Sequence, residues 1–185
     1  MRVIAGTARG RRLVAPKGVK TRPTADRVKE NLFNIITARV AGAAVLDLYA
    51  GTGSLAIEAL SRGANSAVLV EDDKAAIEAI ERNLEATKLS NRAVLRQSPV
   101  RQALARLVAQ NQAFDLILLD PPYKIDESEL EIVLEKAASC LNKPGLVVLE
   151  HRSDLPEIKL GAELFLVDRR RYGDTALSFY EKRES

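Results

Sequence analysis

Side chains that ligate metals or form cross-links are scarce in this chain: 185 residues include one cysteine, Cys140, one histidine, His151, and no tryptophan. A lone cysteine excludes a disulfide framework and a thiolate metal site, and a lone histidine argues against a histidine-built metal centre. No apolar run approaches the roughly 18 residues that a membrane span needs. Met1-Arg2-Val3 opens a strand-like segment rather than a signal peptide, so a cytoplasmic protein with no membrane and no metal is expected. Internal repeats and low-complexity segments are also missing. The length suits one domain over residues 1–185, and a monomer is expected.

What the chain does have is an uneven distribution of charge. Residues 1–30 hold nine lysines and arginines against two acids, a net of +7, which leaves −4 for the rest of a chain whose total is +3. A basic arm on an acidic body points to phosphates as partners of the arm. Arg2, Arg9, Arg11, Arg12, Lys17, Arg22 and Arg27 are its candidate nucleic-acid contacts; the alternative is a merely solvated terminus. Arg2–Gly6 and Arg11–Ala15 are expected to pair as a β-hairpin across Thr7–Gly10. A helix capped by Thr24 and ended by Gly42 should follow, with Val28, Leu32, Ile35, Ile36 and Val40 on one face. Residues 1–42 would then be an appendage to a sheet domain over 43–185.

Beyond Ala43 the pattern alternates strand and helix. Strands are predicted at Ala44–Leu48, Ser66–Val70, Val94–Arg96, Phe114–Leu119 and Leu146–Leu149, the last entered by a turn at Asn142–Gly145. Helices are predicted at Ser54–Ser61, Lys74–Thr87 and Pro99 to about Ala109, with another opening in a capping box between Asp126 and Glu129. After His151, placed on a solvent-facing loop, Glu163–Arg170 and Thr175–Lys182 should form an antiparallel hairpin. Arg169–Arg171 either extend a nucleic-acid surface or guard an exposed edge with charge. The fold class is α/β: a Rossmann-like, doubly wound, seven-stranded sheet, mostly parallel, with that carboxyl-terminal hairpin.

Chemistry concentrates where the strand Phe114–Leu119 meets Asp120-Pro121-Pro122-Tyr123. Two prolines cannot continue a central strand, so the chain turns just as the acid emerges at the strand's carboxyl end, where open α/β sheets bind ligands. An exocyclic amine on a nucleobase, or a side-chain amide, is a poor nucleophile because its lone pair is delocalised. A carboxylate and the carbonyl of Pro121, which is followed by another proline without an N–H, can accept both amine protons and favour attack. Tyr123 offers a face for stacking.

Upstream, Asp47-Leu-Tyr49-Ala-Gly51-Thr-Gly53 joins the first strand to the next helix, with Glu71 twenty residues beyond Gly51. The glycines allow a tight turn against a ligand. By itself this loop also satisfies the dinucleotide pattern in which a later acid holds ribose. Asp47 would repel a pyrophosphate but suits ammonium and sulfonium charges, and hydride transfer has no use for Asp-Pro-Pro-Tyr. Together they favour S-adenosylmethionine.

These motifs resemble the class I S-adenosylmethionine-dependent amino-methyltransferases. Arg2-Val-Ile-Ala-Gly6, Arg9-Gly-Arg-Arg12, Arg22-Pro-Thr-x-Asp-Arg-Val28 and Tyr172-Gly-Asp-Thr175 narrow the resemblance to the bacterial 16S rRNA guanine-N2 methyltransferases of the RsmD type. That resemblance implies catalysis by Asp120, Pro121, Pro122 and Tyr123, and cofactor binding by Asp47, Tyr49, Gly51, Gly53, Glu71 and Asp72. It also implies a partner, 16S rRNA, in the small subunit or an assembly intermediate. Many relatives carry Asp or Asn where this chain has Ser98, which is either a cofactor contact or an N-cap ahead of Pro99. Rival readings are a DNA amino-methyltransferase, a protein glutamine methyltransferase and a non-catalytic RNA-binding module.

Overall fold

A computed structural model describes residues 1–16, 23–158, 160–161 and 163–182. Lys17 and Arg22 lie outside them, as does the side chain of Thr24, on which the predicted cap falls. In chain order the elements are α1 (Pro23–Ile35), β1 (Ala44–Leu48), α2 (Ser54–Ser61), β2 (Ser66–Glu71), α3 (Lys74–Thr87), β3 (Ala93–Gln97) and α4 (Val100–Ala109). Then come β4 (Phe114–Leu119), α5 (Glu127–Ser139), β5 (Leu141–Arg152), β6 (Leu164–Tyr172) and β7 (Thr175–Lys182).

The seven strands form one sheet in the order β3-β2-β1-β4-β5-β7-β6. The first five are parallel, and β7 runs antiparallel to both β5 and β6. Helices cover both faces, which is why the central strands are continuous apolar runs with no visible alternation. On one face Val45, Leu69, Leu116, Leu118 and Val148 pack with Leu32 and Phe33 of α1, Ile57 and Leu60 of α2 and Ile80 of α3. On the other, Leu46, Leu48, Ile117, Leu119 and Leu149 meet Leu104 of α4 and Leu130, Val133 and Leu134 of α5.

Several expectations are corrected. The amino-terminal hairpin forms but is short: one antiparallel bridge, Arg2 with Arg12, flanked by Val3 N–H donating to the Arg11 carbonyl, Gly10 N–H to that of Val3 and Leu13 N–H to that of Met1. Other backbone donors of the segment are used on the sheet domain: Ile4 and Ala5 donate to the Glu58 carboxylate (2.8 and 3.0 Å) and Ala8 donates to Ser61 Oγ (2.9 Å). Gly6 lets the chain sit that close, since a Cβ there would lie 1.8 Å from the Ser61 carbonyl oxygen. Asn83, buried in α3, accepts from Val14 N–H and donates to the carbonyls of Val14 and Thr52. Val3, Ala8 and Leu13 belong to the core they share with α2 and α3.

Other corrections are local. Residues 142–145 lie within β5, at a register irregularity opposite Phe114–Leu116, rather than in a turn before it. Asp126 is the N-cap residue of α5 but makes no side-chain capping bond. The cap of α4 is Pro99, and Ser98 Oγ donates to its carbonyl at 3.3 Å, so Ser98 is not the helix cap. His151 is in β5 and buried, not on an exposed loop, because its β7 neighbour supplies a polar partner: Nε2 meets Ser178 Oγ at 2.8 Å and Nδ1 meets the Arg152 carbonyl at 2.7 Å. Burial lowers its pKa.

Candidate active site

Four neighbouring strands end in acids: Asp47 on β1, Glu71 on β2, Asp120 just beyond β4 and Glu150 on β5. The alternation of each strand points all four to the same sheet face, because Val45, Leu69, Leu118 and Val148, each two residues earlier, face α1, α2 and α3. The acids therefore make a rim along the carboxyl edge. It spans the gap between β1 and β4, where the strand order reverses and a crevice opens.

Asp47 is the deepest member, with 1% of its surface exposed. Its Oδ2 accepts from Ala56 N–H at 3.0 Å, and its Oδ1 is buried without a hydrogen-bond partner. Burial pushes its pKa up to about 8; the Ala56 bond opposes the shift, and Asp120 and Glu71 add to it. An orphaned buried carboxyl oxygen suits a ligand that brings cationic charge or N–H donors.

Glu71 holds the intervening loop in shape. One oxygen accepts from Gly51 N–H at 2.7 Å, the other from Asp72 and Asp73 N–H at 2.9 and 3.0 Å. Gly51 and Gly53 adopt positive φ, and Gly53 lies so close to the core that a Cβ would approach Leu69 to 3.1 Å. Tyr49 also has positive φ (61°), a conformation costly for a bulky residue and found where a site holds it in place. Burial pushes its pKa up to about 12, with Glu129 and Asp72 contributing. Beside this loop a cavity of about 540 Å³ is lined by Asp72, Ile77, Gln97 and Ser98 among others, which brings Asp72 and Ser98 together.

Across the rim, Asp120 is open to solvent, yet the protein crowded around the mouth raises its pKa to about 6, leaving it ionised at neutral pH. No described residue hydrogen-bonds its carboxylate. The Pro122 carbonyl accepts from Ile125 N–H at 2.9 Å, closing the turn, whereas the Pro121 carbonyl has no described donor and remains available. Tyr123 is 57% exposed. Pro121, Pro122 and Tyr123 line a cavity of about 400 Å³ with Ile125, His151 and Arg152.

The basic arm sits beside the glycine loop. Thr52 Oγ1 donates to the Met1 sulfur at 3.4 Å, and Lys29, buried in α1, donates to the Arg2 carbonyl at 2.7 Å and to Ser54 Oγ at 3.3 Å. Arg2, Arg9, Arg11, Arg12 and Arg27 are exposed. Among the described residues none of their side chains has an ion-pair partner.

Sequence reasoning missed Glu150 as a member of the rim. The signal was present, since Ala-Val-Leu-Asp47, Val-Leu-Val-Glu71, Ile-Leu-Leu-Asp120 and Val-Val-Leu-Glu150 repeat one pattern of an apolar run ending in an acid. Among the described residues no helix is long and apolar enough to cross a membrane, and no three His, Cys, Asp or Glu side chains are grouped to hold a metal.

Comparison with known proteins adds an independent line. The family model described as Conserved hypothetical protein 95 matches residues 1–181. The Bacillus subtilis protein YlbH is 37% identical, covering 99% of this chain and 100% of its own length. Ribosomal RNA small subunit methyltransferase D of Haemophilus influenzae is 38% identical over 85% of this chain and 82% of its own. The solved structure of a hypothetical protein of Thermus thermophilus matches with a TM-score of 0.82 at 34% identity, covering 97% of this chain and 98% of that one.

Proposed function

The chain belongs to the Conserved hypothetical protein 95 family, with the RsmD-type proteins, and we propose that it transfers a methyl group from S-adenosylmethionine to the exocyclic N2 of a guanine in 16S rRNA. The fold is that of the class I methyltransferases. The observation that carries the reading is the accessible carboxylate of Asp120, which no described residue hydrogen-bonds, beside the Pro121 carbonyl, which has no described donor, at the switch point of the sheet and next to the cavity that Pro121, Pro122 and Tyr123 line.

The residues present fit the cofactor. Asp47 supplies an orphaned acid for its cationic portion, and Gly51 and Gly53 let the backbone come close. Glu71 retains acceptor capacity for ribose hydroxyls, and Asp72 and Ser98 line the cavity next to it. When bound, S-adenosylmethionine supplies an electrophilic methyl group. The protein's work is then done on the acceptor. Asp120 and the Pro121 carbonyl accept hydrogen bonds from the two amine N–H groups, which favours a nitrogen lone pair directed out of the plane of the base. Tyr123 stacks on the extruded base, worth about 1–3 kcal/mol. After transfer the nitrogen carries one proton too many, and ionised Asp120 is placed to receive it. Positioning and electrostatics account for the acceleration, with no covalent enzyme intermediate. Exposed Arg2, Arg9, Arg11, Arg12 and Arg27 hold the RNA backbone, joined by Lys17 and Arg22.

Incubation with labelled methyl donor and, separately, small ribosomal subunits, free 16S rRNA, DNA and protein tests the reading. Label recovered as N2-methylguanine in 16S rRNA is expected. Label in DNA or glutamine overturns the acceptor, and RNA binding without label overturns the enzyme.

A further inference from the structure

The acids of this protein divide into two kinds. Glu58, Glu71, Asp73 and Asp115 each accept hydrogen bonds from described donors. Asp120 and Glu150 accept none from any described residue. Glu150 is half-buried, and its partner on β7 is Leu177, an apolar residue that offers it nothing. Its neighbour on β4 is Asp120, one step beyond the paired Leu119 and Leu149, on the same face of the sheet and the one charge that acts on it. An acid that is partly desolvated, unbonded and next to a like charge destabilises the fold, so it is explained by a ligand it meets.

We propose that Glu150 is a second substrate-contacting carboxyl, which reads the N1–H and O6 lactam edge of the same guanine whose exocyclic amine Asp120 holds. The inference rests on the guanine reading given above. Neighbouring strands lie about 4.8 Å apart, so side chains at adjacent strand ends can address adjacent groups along one edge of a base. Two carboxyls this close share one proton, and the less accessible one keeps it. Burial and the adjacent Asp120 push the Glu150 pKa up to about 8. A neutral carboxyl presents one acceptor and one donor side by side, the complement of the N1–H donor and O6 acceptor of guanine. Asp120, ionised, is left free for the amine.

The test compares Glu150→Gln with Glu150→Ala in the full chain, using 16S rRNA whose methylated guanine has been mapped with the wild type. Glutamine keeps one donor and one acceptor in a plane, so E150Q should stay within several-fold of wild-type kcat/KM at pH 7. E150A should lose about 10- to 100-fold, the value of a bidentate base contact. Wild-type activity should fall as pH rises past about 8, where Glu150 ionises, and E150Q should lack that alkaline decline. With 2-aminopurine at the mapped position, which keeps the amine but lacks N1–H and O6, wild type and E150A should become equally slow. The inference is overturned if E150A matches wild type on guanine, if E150Q is as impaired as E150A, or if E150Q keeps the alkaline decline. A wild type that methylates no RNA guanine would instead overturn the underlying function.

Discussion

The amino-terminal segment and the carboxyl-edge rim are both dense in charge, and they handle it in opposite ways. In the segment, buried acceptors on α2 and α3 bind backbone: Glu58, Ser61 and Asn83 take the N–H groups of residues 4, 5, 8 and 14. The arginines are thereby left exposed and fully charged. In the rim the acids are crowded and partly desolvated, so Asp47 and Glu150 are pushed to about 8. Exposed charge acts at a distance and is screened by salt; crowded, desolvated charge acts on contact and sets protonation. On the function proposed above, one chain would thus carry a long-range grip for a polyanion and a short-range reader for a base.

The sharpest way to break this comparison is to remove the acid that anchors the segment. Glu58 is fully buried and also pairs with Arg62 at 2.7 Å and with Lys29 at 3.8 Å. Glu58→Ala leaves Arg62 without its ion-pair partner, removes one of the two carboxylates beside Lys29 and orphans two backbone donors, so a loss of about 3–5 kcal/mol in urea unfolding is expected. A loss under about 1 kcal/mol would show that the segment is not held in this way.

Next in size is the reader. Asp120→Ala should cut kcat by about 100- to 1,000-fold while cofactor affinity by calorimetry stays nearly unchanged. Equal loss of both would make Asp120 structural.

The protonation contrast predicts a pH dependence. Asp47 ionises near pH 4 in an unfolded chain and near 8 in the fold, so folding takes up a proton between these values. The stability it contributes is complete below the unfolded pKa and is lost as pH rises through the folded one. The slope is roughly 1.4 kcal/mol per pH unit for one group. The urea midpoint of the cofactor-free protein should therefore fall from pH 5 to pH 8, and Asp47→Asn should flatten that fall. An unchanged slope would mean that Asp47 is ionised when folded.

The smallest expected effect sharpens the other half. Replacing Arg9, Arg11 and Arg12 by alanine should weaken RNA binding and lower the slope of log affinity against log salt by roughly one per arginine. The unfolding free energy should not move, because these exposed side chains have no ion-pair partner among the described residues. A changed midpoint would show that they do.

Most of the β1–β7 architecture was legible because local chemistry repeats: an apolar run, a helix with a periodic face, a glycine or proline between them. Asp120 and its prolines could be read for the same reason, since the strand, the acid and the stop are contiguous. Residues 142–145 were misread because their turn composition is overridden by pairing with β4. His151 was misread because its partner, Ser178, lies 27 residues away.

From the amino-acid order alone came the alternation of strand and helix, the acid at the end of β4, the glycine loop and the basic arm. Each depends on neighbours in the chain, whose preferences act before anything distant is in contact. Only tertiary structure decided that the arm docks by its backbone on Glu58, Ser61 and Asn83, that Glu150 stands beside Asp120, and that burial pushes the carboxyls of Asp47 and Glu150 well above the usual carboxylate range. Those outcomes depend on which distant groups become close and how much water is driven from between them, and a sequence does not carry that distance.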